Sequence, residues 1–294
     1  MEKTESTEIK EIRRVTWIGL VVNVVLSAFK MAAGYYGRSR AVMADGVHSL
    51  SDTATDAALL IGVKYWTAPP DSDHPHGHRR IETIITMFIG VLLAIVGLGI
   101  GWDAIVTVHE KHSRPPGAIA LVAALVSIVV KEIIYRWTVA VGRRVKSSAL
   151  EANAWHHRSD GLSSIPAAVA VGGAYIFPQL YFLDHVGAII VTLFILRAAW
   201  KIALPAADEL ADAGATPEEM EQITRICRET EGVESCHKIR TRRLGPGLQV
   251  DLHIQVDPGL SVQEGHDISE NVKKHLMDNG PDIIDVVAHL EPEG

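Results

Sequence analysis

Two histidine–aspartate pairs stand four residues apart inside largely apolar stretches of this sequence. His48 and Asp52 lie in ADGVHSLSDTATD, and His156 and Asp160 lie in EANAWHHRSDGLSSIPAAVAV. On an α-helix, residues at i and i+4 lie one above the other on the same face. Because both pairs fall near the middle of their stretches, two packed helices would bring them together at a similar depth. Two imidazoles and two carboxylates form a four-coordinate set that suits tetrahedral Zn²⁺ and related divalent ions.

Ionisable side chains inside a membrane-spanning helix are costly, and each one needs a physical reason. One explanation of the pairs is that they only hydrogen-bond helices together or line a structural water cavity. The recurrence of the same spacing in two separate stretches favours a binding site. His157 is predicted to be a neighbour of the site and not a ligand, because adjacent helical residues point about 100° apart. Four other polar residues could line an aqueous path or cap a helix end, and packing or solvation is the favoured prediction for them: Asn23, Asp45, Asp56 and Asp103.

Apolar runs of membrane-spanning length recur through the first two-thirds of the chain. A helix needs about 20 residues to cross the hydrocarbon core of a bilayer, and some of these runs reach that length only if their polar residues are tolerated. Six helices are predicted, over residues 14–36, 40–66, 81–108, 117–141, 148–177 and 181–204. Lys and Arg are concentrated in the N-terminal arm and in the 67–80 and 142–147 loops. The positive-inside rule therefore places both termini in the cytoplasm.

The composition fits a membrane part joined to a polar part. The chain has 294 residues, 48% of them hydrophobic, and a positive mean hydropathy. A net charge of −7 argues against a nucleic-acid partner. The two cysteines form no CxxC pair and no disulfide framework, which suits a reducing cytosol. No removable signal peptide is expected at the polar N-terminus.

The composition changes after Leu204, where a small cytoplasmic α+β domain is predicted. A helix is expected to begin at the N-cap Thr216 and to stop at Gly232. Two alternating segments around a GPG turn predict a hairpin, and a serine-capped helix and a final strand follow. The order is α-β-β-α-β. The predicted domains are an N-terminal arm, a transmembrane domain and a cytoplasmic domain, over residues 1–13, 14–207 and 208–294.

Several motifs are spread over nearly the whole chain. HSLSD lies in the second predicted helix and HHRSD in the fifth, and DSDHPHGHRRIE connects the second helix to the third. The tail contains HKIRTR, VDLHIQV, GHDISE and VVAHLEP. In these motifs and their order, the chain resembles the cation diffusion facilitator family of divalent-metal transporters. The resemblance implies a six-helix transmembrane bundle followed by a metallochaperone-like cytoplasmic domain. A zinc-type transporter in a bacterial inner membrane is expected.

The resemblance assigns the two histidine–aspartate pairs to a transport site that binds one divalent ion per protomer. It also implies a second, weaker site in the loop after the second helix, made of Asp71, His74 and His78. Independently, the density of Asp and His in DSDHPHGHRR is typical of a metal-binding tract. His76 has no counterpart among the family's ligands.

A two-metal site in the cytoplasmic domain is implied by the same resemblance. Its ligands would be His237, His253, His266, His289 and Glu291. The family usually carries an aspartate at the last of these positions, and the longer glutamate leaves the two-metal geometry open. The remaining histidines are predicted to lie at the surface without a role: His109, His112, His185 and His275.

Family members are homodimers, and zinc binding draws their cytoplasmic domains together. A charge pair between the loop after helix two and the start of the tail often locks the membrane dimer, and Arg80 and Asp212 are the expected equivalents here. Metal and protons compete for the same ligand lone pairs, so the site should exchange a divalent cation for protons. Protons then serve as the counter-ion of metal efflux.

Three other functions are open at this point. The transported ion could be Fe²⁺, Mn²⁺, Co²⁺ or Cd²⁺, although the His-Asp/His-Asp set favours zinc. An intramembrane metalloenzyme would need an HExxH motif or a glutamate base beside the metal, and the sequence shows neither. A non-transporting metal sensor or assembly platform would not need intact ligands in both helices.

Overall fold

A computed structural model describes residues 2–66, 68–108, 115–144, 148–245 and 247–293. The helices of the first two-thirds are α1 Glu2–Tyr36, α2 Arg40–Trp66, α3 Arg80–Thr107, α4 Ala118–Arg144, α5 Ser148–Ser163, α6 Ile165–Ile176 and α7 Phe182–Leu210. A short 3₁₀ helix, Pro178–Leu180, precedes α7. The remaining elements are α8 Pro217–Glu229, β1 Ser235–Leu244, β2 Gly247–Val256, α9 Val262–Asn279 and β3 Ile283–Pro292.

The chain divides into two compact units. The first contains residues 1–61 and 88–203, and the second contains residues 62–87 and 204–294. The first unit is helical. Its distribution of apolar and charged side chains between surface and interior is the reverse of that in a water-soluble protein. Its outward surface carries large apolar side chains, including Phe88, Trp102, Val169 and Trp200, whereas Lys30 and Lys131 are buried. Such a surface requires an apolar solvent, so the first unit is a transmembrane domain.

Small side chains form the core of the helical unit. Of the 17 residues in its main buried cluster, counted over the described part of the chain, 12 are alanines and three are valines. Between helices in a bilayer, small residues let the backbones approach closely, because lipid tails are as apolar as large side chains. Gly187 of α7 illustrates this approach, since a Cβ there would lie 2.4 Å from the Cβ of Ala170 on α6.

Four helices of the described chain are long and apolar enough to cross a membrane. They cover Arg14–Tyr36, Arg80–Thr107, Ala118–Arg144 and Phe182–Leu210. The second and fifth predicted spans are absent from this set. The fifth, predicted as one helix over 148–177, is two helices divided at Ser164. Pro166 lies just after the break, and a proline cannot donate the hydrogen bond that would continue the helix through it.

The second unit contains a three-stranded sheet in the order β1-β2-β3. Strand β2 pairs antiparallel with β1 and parallel with β3, as expected for a hairpin followed by a helical crossover. Along β2, Leu248, Val250, Leu252 and Ile254 are buried, whereas the alternate residues from position 251 onward are more exposed. One face of the sheet therefore packs into a core, and the other face is open to solvent.

Helices α8 and α9 cover the apolar face of this sheet. Ile223 on α8 and Val272 and Leu276 on α9 join the strand residues in one buried cluster. Each helix begins with a capping box, in which Thr216 or Ser261 accepts the N–H of a glutamate three residues later, and that glutamate accepts the N–H of the cap. The order α-β-β-α-β is as predicted, although α8 ends at Glu229, before Gly232.

Candidate metal-binding sites

The two intramembrane histidine–aspartate pairs line one cavity of the helical unit. Its volume is about 590 Å³. His48 and Asp52 come from α2, and His156 and Asp160 come from α5, each pair one helical turn apart. The cavity wall also includes Arg197 and Lys201 of α7, among other residues. Side chains more than 100 positions apart in the sequence are thus brought to one space by the packing of the helices.

Two atoms of this cavity have no hydrogen-bond partner in the part of the chain that the structure describes. They are Nδ1 of His48 and Oδ2 of Asp52, and both are buried. Buried polar atoms are rarely left without a partner. Since both atom types are common ligands of divalent first-row cations, the cavity fits such a cation as cargo.

The carboxylate of Asp160 lies between two cationic or basic groups. Its Oδ2 lies 2.7 Å from Nζ of Lys131, and both side chains are buried. Its Oδ1 lies 3.8 Å from Nδ1 of His156, whose side chain is 45% exposed. Among the described residues, no three of the four predicted ligands bring ligand atoms within 4.8 Å of one another. The four therefore share a cavity without forming a closed cluster, and Asp160 is engaged by a lysine.

The buried lysines Lys30 and Lys131 were not identified from the sequence. Lys30 Nζ lies 2.9 Å from Asp45 Oδ2 and also donates to Ser49, in a pocket that excludes solvent from both charges. The available signal was a lysine in the interior of an apolar span, which is costly unless a carboxylate pairs with it. For Asp45 the sequence predicts packing or solvation, and the structure places it in this ion pair.

The loop after α2 brings its three predicted ligands together. Asp71 Oδ1 lies 3.3 Å from Nδ1 of His74, and Asp71 Oδ2 lies 3.2 Å from Nε2 of His78. The chain can fold back on itself here because Gly77 adopts φ +82°, which a residue with a Cβ rarely does. These three residues form one of two compact groups of possible metal ligands in the described chain. His76 does not belong to it.

Backbone hydrogen bonds keep the Asp71 carboxylate ionised. The N–H of His74 donates to Asp71 Oδ1 at 2.7 Å, and the N–H of Asp73 donates to the same oxygen at 3.0 Å. The His74 hydrogen bond is the main reason that the pKa of Asp71 lies below its ordinary value. An ionised carboxylate between two imidazoles can bind a divalent cation without first losing a proton.

Strand register aligns three of the predicted cytoplasmic ligands across the sheet. His237 of β1 pairs with His253 of β2, and His253 pairs with His289 of β3. A bulge follows His237, and Lys238 within it has φ 50°. Bulges re-aim neighbouring side chains. The imidazoles lie side by side, with ring centroids 5.6 Å apart for the first pair and 4.6 Å for the second.

Glu291 is the centre of this cytoplasmic cluster. Its Oε2 lies 3.0 Å from Nε2 of His237, and its Oε1 lies 2.7 Å from Nδ1 of His253. The hydrogen bond with His253 is the main cause that lowers the pKa of Glu291. These three residues form the second compact ligand group, with His289 Nε2 3.7 Å from Glu291 Oε1. The longer glutamate arm therefore reaches both imidazoles.

One predicted ligand lies apart from this cluster. His266 is exposed on α9 and is not among the three grouped residues. One prediction about the surface is wrong, because His185 is buried in the helical unit, 3.4 Å from Nη1 of Arg40. His275 is exposed, as predicted. His109, His112 and the side chain of Asp56 lie outside the described residues.

The charge pair expected between the loop and the start of the tail is present. Arg80 Nη2 donates to Asp212 Oδ1, and both residues belong to the second unit. Asp212 adopts φ 61°, an uncommon conformation for a residue with a Cβ.

An apolar helical domain with a cavity lined by histidines and aspartates, followed by a domain with clustered metal ligands, defines a membrane protein that handles metal ions. Comparison with protein families agrees. Residues 16–211 match the "cation efflux transmembrane domain", and residues 215–293 match the "cation efflux protein, cytoplasmic domain". The chain belongs to the cation efflux family, and it is a divalent-metal transporter with a helical transmembrane domain and a cytoplasmic α+β domain.

Individual relatives cover most of the chain. Metal tolerance protein C1 of Arabidopsis thaliana is 34% identical over 298 residues, which is 96% of this chain and 63% of that protein. The manganese efflux system protein MneP of Bacillus subtilis is 32% identical over 285 residues, which is 95% of this chain and 96% of that protein. A solved structure of CzrB is 30% identical and covers 28% of this chain and all of that chain, with a TM-score of 0.26.

Proposed function

We propose that this protein exports a divalent metal cation from the cytoplasm in exchange for protons, and that the cation binds to His48, Asp52, His156 and Asp160. One observation carries the proposal: side chains from α2 and α5 line a single cavity inside a domain whose outer surface is apolar. The free atoms of His48 and Asp52 support cation binding there. Two carboxylates offset the charge of one divalent ion.

The proposed topology has six membrane crossings, with α5 and α6 acting together as the fifth. Helix α2 is 27 residues long, which is sufficient for a crossing. It is not among the four helices that length and apolar composition mark as spans, and it carries the polar residues His48, Asp52 and the buried Asp45. Both termini would then lie in the cytoplasm, and the helices would cross a bacterial inner membrane. The proposed domains are residues 1–13, 14–207 and 208–294.

Proton exchange follows from the ligand chemistry. An imidazole or a carboxylate binds either a proton or a metal ion through the same lone pair. A site that faces the cytoplasm loads the metal and loses protons, and after the helices rearrange it takes up protons from the outside and releases the metal. The proton gradient then supplies the free energy of export.

Zinc is the proposed ion, and manganese is the second candidate. Two imidazoles with two carboxylates suit zinc, because histidine is a good ligand for Zn²⁺, whereas oxygen-rich sites suit Mn²⁺. Manganese is favoured by a different observation, the 32% identity to a manganese efflux protein over nearly the whole chain. Flux measurements with both ions discriminate between them.

The loop and cytoplasmic sites are proposed to regulate transport. Asp71, His74 and His78 would bind a second metal ion, and the cytoplasmic cluster of His237, His253, His289 and Glu291 would bind further zinc, with His266 as an additional ligand only if it moves to the cluster. The protein is proposed to act as a homodimer, with Arg80 and Asp212 locking the membrane part. Metal in the cytoplasmic domains would favour a closed pair of domains over a separated pair, which is a population shift.

Transport by the purified protein in liposomes under an imposed pH gradient tests the proposal. Zn²⁺ or Mn²⁺ flux should be present in the wild type and reduced at least 100-fold in Asp52→Asn. Asp103→Asn is the matched control, because this acid lies at the exposed end of α3, paired with Arg40. It should retain most of the flux. Equal flux in Asp52→Asn and wild type would remove the proposed site, and absence of flux for any ion in the wild type would remove the transport function.

A further inference from the structure

Lys131 lies where a lysine side chain cannot reach water. It is at the midpoint of α4 (Ala118–Arg144), and only 1% of the residue is exposed. Lysines near helix ends extend their ammonium group to the membrane surface, but a lysine at the middle of a span must find its partner inside the protein. The structure therefore commits this ammonium group to the interior of the helical unit.

The partner of Lys131 is the proposed metal ligand Asp160. The two charged groups are 2.7 Å apart, and this carboxylate is the one hydrogen-bond partner that the described chain gives the ammonium group. Close packing of α4 on α5 fixes the lysine there, since a Cβ at Gly161 would lie only 3.0 Å from Cβ of Lys131. The lysine stem thus rests on the α5 backbone directly beside Asp160.

The other buried lysine has a different arrangement. Lys30 pairs with Asp45, which does not line the cation cavity, and it also donates to Ser49 and Ser164. Ser164 in turn donates to Asp45 at 2.8 Å. Lys30 is therefore part of a closed structural network. Lys131, in contrast, shares its carboxylate with the cavity that holds His48, Asp52 and His156.

We propose that Lys131 is a tethered cation that competes with the transported metal for Asp160, an inference that rests on the proposed function. A metal ion binds a carboxylate oxygen at about 2.0–2.2 Å. It would then lie within a few ångströms of the ammonium group, and two cations this close repel strongly where water is excluded. Metal binding at Asp160 is therefore opposed while Nζ of Lys131 stays at Oδ2, and it favours movement of the ammonium group away from the carboxylate.

The return of Lys131 to Asp160 would assist metal release. A buried ammonium group without a partner is unfavourable, so the loaded state retains a drive to restore the lysine–carboxylate contact. The lysine therefore lowers the affinity of the site and speeds discharge of the ion. This role needs no change in the charge of Lys131, because the ammonium group only changes its position.

The test is metal binding by the metal-depleted full-length protein in detergent at one fixed pH. Zn²⁺ is titrated in competition with a fluorescent chelator, and the component that Asp52→Asn abolishes defines the cavity site. Lys131→Met and Lys131→Gln remove the charge, and Arg136→Met is the matched control, because this exposed cation lies on the same helix outside the cavity lining. Variants that elute as the wild type does in size-exclusion chromatography are compared.

The neutral Lys131 variants should bind Zn²⁺ at least tenfold more tightly than the wild type, with slower release in single-turnover efflux from liposomes. Arg136→Met should change the Kd less than threefold. Structural damage alone would weaken Zn²⁺ binding. An increase in the affinity of the Lys131 variants therefore identifies competition. Unchanged or weaker binding in the Lys131 variants overturns the inference and leaves the proposed function intact. If Asp52→Asn abolishes no binding component, the proposed site fails, and the inference fails with it.

Discussion

The buried ion pair between Lys30 and Asp45 should be essential to the stability of the transmembrane domain. Both side chains are fully buried, with Nζ of Lys30 2.9 Å from Oδ2 of Asp45. The pair joins α1 to α2, and Ser164 at the break between α5 and α6 hydrogen-bonds to both charged groups. Lys30→Met would leave the Asp45 carboxylate without a counter-ion, and Asp45→Asn would leave the ammonium group without one.

The separation of the charges sets the expected magnitude. At 2.9 Å and an effective dielectric constant of about 20, the attraction is roughly 6 kcal/mol. Desolvation of the two charges offsets most of this attraction in the intact pair, but a single substitution leaves an unpaired buried charge that costs about 3–5 kcal/mol. Such a loss is a large share of a typical unfolding free energy of about 5–15 kcal/mol.

The assay is unfolding by added SDS in mixed micelles, followed by tryptophan fluorescence and helical circular dichroism. Each single variant should lose about 3–5 kcal/mol, and the double variant should lose less than the sum by at least about 2 kcal/mol, because it leaves no unpaired charge. Arg136→Met is the control, since its ion pair with Glu132 is exposed and should contribute under about 1 kcal/mol. Single variants within about 1 kcal/mol of wild type, or additive losses, would refute this reasoning.

Two further predictions concern the cytoplasmic domain. Glu291→Gln should weaken zinc binding by that domain at least tenfold in calorimetry, because the charged ligand between two imidazoles is lost; equal affinity in Glu291→Gln and the control Glu293→Gln would contradict this. The hydrogen bond from Arg243 is the main cause that lowers the pKa of Glu219. The hydrogen bond stabilises α8 only while Glu219 is ionised. This contribution should be complete above about pH 4.3, the ordinary pKa of a glutamate, and should be lost as the pH falls through the lowered pKa of Glu219. Hydrogen exchange of the α8 amides measures this contribution. The ratio of the exchange rates in Glu219→Gln and in the wild type should stay constant between pH 7 and pH 5. A ratio that changes in that range would exclude this mechanism.

Short-range spacing in the sequence was sufficient to predict most of the elements and the two histidine–aspartate pairs, whereas the loop and cytoplasmic ligands followed from the family resemblance. The i,i+4 spacing of His48 and Asp52 places both on one face of a helix whatever that helix contacts. Alternation in LQVDLHIQV likewise fixes which face of β2 enters the core. The capping boxes at Thr216 and Ser261 are set by residues three positions apart. Each of these features depends only on local backbone geometry.

The division of the fifth predicted span was recognisable but was not predicted. Pro166 stands within SSIPAAVAV, and a proline inside an apolar helix disrupts the backbone hydrogen bonds one turn earlier. The hydrophobicity of 148–177 favoured one continuous helix. The structure resolves the conflict in favour of backbone geometry, with the break at Ser164 beside the Lys30–Asp45 pair.

Only the tertiary structure decided which polar side chains from distant parts of the sequence contact one another. Lys131 meets Asp160 across 29 positions of sequence, and Ser164 meets Asp45 across 119. The row formed by His237, His253 and His289 depends on the register of three strands. Such contacts follow from the packing of whole helices and the alignment of strands, which the spacing within one element does not specify. The sequence alone determined which side chains are candidate cation ligands, and the packing determined which of them is already paired with a buried lysine.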